Sequence, residues 1–157
     1  MRRATLAAMA LLALGGPVGG PVAAAQVATP SGTYTGTYRC GQGMTALSLS
    51  IRAAQDGSLS ALFYFHAAAG NPGVPKGCFD MHGQWDARTG AVSLQAGAWL
   101  LRPPNYVTVD LQGHLTKGFL GGTVIGPGCT DFSLQADDSP PAPPAECTSG
   151  HRTGGFI

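Results

Sequence analysis

From about residue 33 to residue 135, apolar and polar residues alternate in short runs, each bounded by glycine, proline, asparagine or aspartate. A period of two is the repeat of a β-strand, whose successive side chains point to opposite faces. In the first run Tyr34, Gly36, Tyr38 and Cys40 share one face, while Thr33, Thr35, Thr37 and Arg39 share the other. The second run places Leu47, Leu49 and Ile51 inward, and Ser48, Ser50 and Arg52 outward. The third buries Leu59, Ala61, Phe63 and Phe65. The fourth buries Phe79, Met81, Gly83 and Trp85, with Asp80, His82 and Gln84 outward. Val92, Leu94 and Ala96 form the inner face of a fifth strand. In the sixth, Val107, Val109, Leu111 and Gly113 alternate with Thr108, Asp110, Gln112 and His114. A seventh strand falls around Phe119 to Ile125 without a clear inward face, and an eighth carries Phe132 and Leu134.

Asp56-Gly57, Thr89-Gly90 and Lys117-Gly118 are tight-turn pairs, because glycine accepts the positive φ that two-residue hairpins need. The pattern predicts an all-β domain of about eight antiparallel strands. They form an up-and-down meander closed into a barrel, with a two-sheet β-sandwich as the alternative. In a meander, alternate connections fall at opposite ends. The three tight turns then share one end, and Gly41-Gln42-Gly43, 66–77, 98–105 and Gly126-Pro127-Gly128 share the other. A closed end and a loop-rich end is how small barrels present binding sites.

Four domain segments follow. Residues 1–25 read as a signal peptide and 26–32 as an N-terminal extension. Residues 33–135 form the barrel, and 136–157 a Pro-rich, disordered tail. The leader reading rests on Met1-Arg2-Arg3, an uncharged apolar stretch over 4–14, a helix-breaking Gly15-Gly16-Pro17 and a small-residue cleavage site at Ala23-Ala24-Ala25. The apolar stretch is shorter than the ~20 residues that span a bilayer. The expected location is periplasmic or extracellular, with no membrane association after cleavage; the export route stays open.

An oxidising compartment changes the reading of the cysteines. Cys40 ends the first strand and Cys129 precedes the eighth, both at the loop-rich end. In a closed barrel those strands are neighbours, which favours Cys40–Cys129, and with it Cys78–Cys147. Four cysteines allow three pairings, and the sequence alone does not choose. Cys78 and His82, like Cys147 and His151, show a Cys-x3-His spacing that suits zinc. Disulfides are the expected state in such a compartment, so no metal and no cofactor are predicted.

Charge narrows the partners. Without Arg2 and Arg3, seven Lys+Arg face eight Asp+Glu, a net charge of −1. That balance argues against nucleic acid, which calls for a basic face. The partner is expected to be a small molecule or a protein. The candidate ligand residues are Trp99, Arg102, Asn105 and Tyr106, in a stretch stiffened by Pro103-Pro104, with Asn71 and Lys76 on the opposite lip. Trp, Tyr and Arg bury large area at low entropic cost. The competing reading makes this loop a plug, with Trp99 in the core. His66, His82 and His114 could pair with Asp80, Asp86 or Asp110, but no nucleophile motif accompanies them.

Gly32-Thr33-Tyr34, Asp56-Gly57-Ser58-Leu59-Ser60-Ala61, Gly83-Gln84-Trp85-Asp86 and Thr89-Gly90 resemble the rhythm of avidin-type and lipocalin-type secreted barrels. This resemblance implies an eight-stranded barrel; the polar set with which avidins hold biotin is not matched here. Tyr38-Arg39-Cys40-Gly41 and Thr116-Lys117-Gly118 are similar to the opening and inhibitory motifs of periplasmic inhibitors of C-type lysozyme. In that family a tyrosine stands where this chain has Gln112, and its Ser-Gly-x-x-Tyr is met only in part by Ser31-Gly32-Thr33-Tyr34. Overall the chain resembles uncharacterised exported bacterial β-domains. The expected function is a non-enzymatic binding module with its site on the loop-rich rim. Inhibition of a secreted enzyme such as lysozyme is one alternative, and a small hydrolase is another.

Overall fold

A computed structural model describes residue 20 and residues 29–149. Apart from residue 20, the segment read as a signal peptide lies outside the described residues, as does His151. The described chain forms eight strands: β1 (Gly32–Cys40), β2 (Gly43–Ala53), β3 (Ser58–His66), β4 (Gly77–Trp85), β5 (Ala91–Leu101), β6 (Asp110–Thr116), β7 (Phe119–Ile125) and β8 (Asp131–Ala136). Each pairs antiparallel with the next, and β8 returns to β1, so the sheet is a closed barrel. Closure removes sheet edges and leaves a core filled by alternate side chains. The inner rings are those expected from the two-residue period: Leu47, Leu49, Ala61, Phe63, Leu94, Leu111 and Leu134 are all buried. In β7, Leu120 and Val124 take the inner positions.

The three tight turns gather at one end, with positive φ at Gly57, Gly90 and Gly118. The N-terminal extension helps close that end: Pro30 is fully buried, and its carbonyl accepts the Tyr34 hydroxyl. At the seam, Cys40 is joined to Cys129. Opposite each other on β6 and β7, Gly113 and Gly122 let the two strands approach closely. A Cβ at Gly122 would run into the Gln112 carbonyl oxygen and the Gly113 Cα.

Three segments depart from the sequence reading. The stretch 98–105 is not all loop. β5 continues to Leu101, with Trp99 opposite Phe79, and bulges absorb the irregular register. Val107, expected inward, is 57% exposed, because β6 starts only at Asp110. The Asp110 carboxylate accepts the Ala96 amide at 2.8 Å, taking the place of the next ladder bond. In the segment expected to be a disordered tail, a short helix α1 (Ala145–Ser149) has its Cys147 fully buried and joined to Cys78. Residues 137–147 form a strap across the outside of the barrel. At its start Asp137 accepts the Thr35 hydroxyl at 2.7 Å and donates its amide to Thr33. Thr35, Ser48, Tyr64 and Cys78 lie in one cross-strand row, and all face outward. Ser48 and Tyr64 are nevertheless buried, and with Leu62 and Leu100 they belong to the layer between strap and sheet.

Candidate functional site

The loop-rich end is unevenly filled. On the β3–β5 side it is plugged. Val74 from the 67–76 connection is buried in the main core, Pro103 is buried, and Trp99 sets its ring edge-on to Phe79 at 5.0 Å. On the side of the β1–β8 seam a cavity of about 400 Å³ opens. Its floor is aromatic: Phe63 stacks on Phe79 at 4.6 Å, and Tyr38 meets Phe63 edge-on at 5.2 Å. These rings are buried members of the main core, and the cavity lies above them.

The lip comes from the segment between β5 and β6. Asn105 takes a positive φ of 66°, reversing the chain after Pro103-Pro104. That reversal lays Tyr106 flat against Phe65, with ring centroids 5.3 Å apart. Val107 and Val109 continue the wall, and Pro127 and the Cys40–Cys129 bridge complete it. Gln42 supplies polarity at the rim. Its Nε2 donates to the Tyr38 hydroxyl at 3.0 Å and to Thr45 Oγ1 at 3.2 Å. Burial pushes the Tyr38 phenol far above its ordinary value, and neighbouring Tyr106 adds to the shift, so the hydroxyl stays neutral. Among the described residues, no charged side chain lines this cavity.

Of the residues singled out from sequence, Asn105 and Tyr106 line the cavity. Trp99 does not; it belongs to the plug, with the Arg102 guanidinium 5.9 Å from its ring centre. Arg102 is exposed, and its Nε donates to the Tyr106 carbonyl, bracing the lip. Asn71 is a clamp. Its Nδ2 donates to the Gln42 and Met44 carbonyls, tying the 67–76 connection to the β1–β2 turn. Lys76 is exposed and outside the cavity. The residues that sequence reasoning missed are Tyr38, Gln42, Phe63, Phe65, Phe79 and Val107. Five of them are strand or turn residues next to the rim, a signal that the search for loop aromatics passed over.

Two of the aspartates considered for histidine pairing, and one of the histidines, are engaged elsewhere. Asp86 faces Arg88 at 3.7 Å and holds its backbone amide, Asp110 is occupied by Ala96, and His66 Nδ1 contacts the Ala67 carbonyl. Among the described residues no three His, Cys, Asp or Glu side chains converge on a metal position. Thr116-Lys117-Gly118 forms the β6–β7 turn at the tight end, with Lys117 exposed and at φ 50°. No helix among the described residues is long and apolar enough to cross a membrane. Comparison with known protein families, with curated proteins and with solved structures found no match to this chain. No comparison supports the avidin, lipocalin or lysozyme-inhibitor resemblances; what the structure bears out is the all-β, eight-stranded barrel.

Proposed function

We propose that the protein is an exported, non-enzymatic binding module that takes a small, uncharged, largely apolar molecule in the mouth of its barrel. The observation that carries this reading is the cavity over Phe63, Phe65 and Phe79, walled by Tyr106 and Val107 and free of charged groups. An ionised ligand would lose its hydration there with no partner to compensate, which costs several kcal/mol. Aromatic walls favour flat ligands through stacked and edge-on contacts. Export is supported by the leader-like N-terminus and by two disulfides, which persist in oxidising compartments.

The test is fluorescence titration with 2-naphthol against the wild type and Val107→Trp. Val107 is exposed, so the larger ring fills the mouth without disturbing the core. Saturable binding that is lost in the variant supports the reading. No binding, or equal binding by both proteins, overturns it. Inhibition of a secreted enzyme is a second reading, favoured by the exposed Lys117 at the tip of a tight turn. It requires that Lys117→Ala abolish inhibition of lysozyme with the fold intact.

A further inference from the structure

We propose that the outside of β4–β7 is a second binding site, a groove for a neutral oligosaccharide laid across the strands. The groove has a volume of about 950 Å³ and lies toward the tight end, away from the mouth. Its floor is a cross-strand row, Gln84, Ser93, Gln112 and Thr123, one residue from each strand and all facing outward. Three interstrand gaps give the row a length of roughly 14 Å. The turns at Gln55–Gly57 and Asp86–Ala91 stand as walls.

Hydrogen-bonding capacity along this row is unspent. On the other half of the barrel, two outward pairs are engaged: Thr33 with Ser50, and Thr35 with Asp137. Among the described residues, the side chains of Gln84, Ser93, Gln112, Thr123 and nearby His114 make no hydrogen bond to the protein. The side chains of the row face solvent from rigid strands, so they are ordered before any ligand arrives.

Three features select the ligand class. First, the main chain is saturated, because at this level every strand is paired on both sides: Gln84 with Ser58 and Ser93, and Thr123 with Gln112 and Asp131. An added peptide strand would find no ladder to join, so recognition runs through side chains. Second, the carboxylates at the walls are already engaged. Asp86 faces Arg88, and Asp56 accepts the Ser58 amide and hydroxyl. Third, amide and hydroxyl side chains each offer a donor and an acceptor, the complement of a sugar hydroxyl.

The experiment is a calorimetric and NMR titration of the disulfide-intact mature protein with cello- and malto-oligosaccharides of two to six units. We expect saturable binding by one series, rising roughly tenfold with length until the row is covered and then levelling. Backbone shifts should centre on β4–β7. Gln84→Ala combined with Gln112→Ala changes two exposed residues and should lower affinity at least roughly tenfold without altering the melting temperature. Val107→Trp, which blocks the mouth, should leave this binding unchanged. No saturable binding by either series, equal affinity in the double variant, or preference for the anionic oligogalacturonate would overturn the proposal.

Discussion

Cys147 in α1 is bonded to Cys78 on β4, with 5.9 Å between their Cα atoms, and this bond fastens the far end of a strap that begins at Asp137. The row from Thr35 through Ser48 and Tyr64 to Cys78 is the track beneath it. Bridging residues 69 apart removes loop-closure entropy worth about 4 kcal/mol from the unfolded chain. Replacing both cysteines with alanine should therefore lower stability by up to about 4 kcal/mol in guanidinium denaturation. The barrel's far-ultraviolet circular dichroism should persist while Tyr64 becomes accessible. A loss of less than about 1 kcal/mol would mean that the strap contributes little.

The other end of the strap titrates. The Thr35 hydroxyl, together with the Ser139 amide, holds the Asp137 carboxyl below the usual carboxylate range. A depressed folded value stabilises the strap above the ordinary carboxylate pKa, and that contribution fades as pH falls through the depressed value. Hydrogen-exchange protection at residues 137–139, taken relative to the intrinsic rate at each pH, should fall below about pH 4. In Asp137→Asn that pH dependence should vanish and protection should be low throughout.

Close approach of β6 and β7 makes Gly122 intolerant of any side chain. Gly122→Ala should cost roughly 3 kcal/mol or prevent folding, since the methyl meets backbone atoms that cannot yield. Gly70 sits in open space, and Gly70→Ala should change stability by no more than about 0.5 kcal/mol. Comparable thermal midpoints for the two variants would contradict the packing described for this pair of strands.

The strand order and inner face were legible because alternation is a one-dimensional signal that survives without knowledge of partners. Closure was legible from the turns: glycine pairs mark one end, and the cysteines flank the seam. β7 resisted because Gly121 and Gly122 blur its alternation, leaving only Leu120 and Val124 to set the parity. The strap was hidden by composition, since Pro140-Pro141 and Pro143-Pro144 read as an extended, unpacked tail. A clue lay elsewhere: Ala61-Leu62-Phe63-Tyr64-Phe65 is apolar on both faces, the mark of a strand covered on both sides. The mouth was half legible. Asn105 and Tyr106 were found as loop residues, whereas Phe65 and Tyr38 looked like core because parity does not say how near the rim a position lies.

The central claim, a ligand site in the barrel mouth, is tested most directly by mapping amide and side-chain NMR shifts as 2-naphthol is titrated into the disulfide-intact protein. The account predicts saturable shifts concentrated at Tyr38, Gln42, Phe65, Tyr106 and Val107, with β8 and the strap unmoved. Shifts spread over the surface, centred outside the mouth, or absent at saturating probe would contradict it.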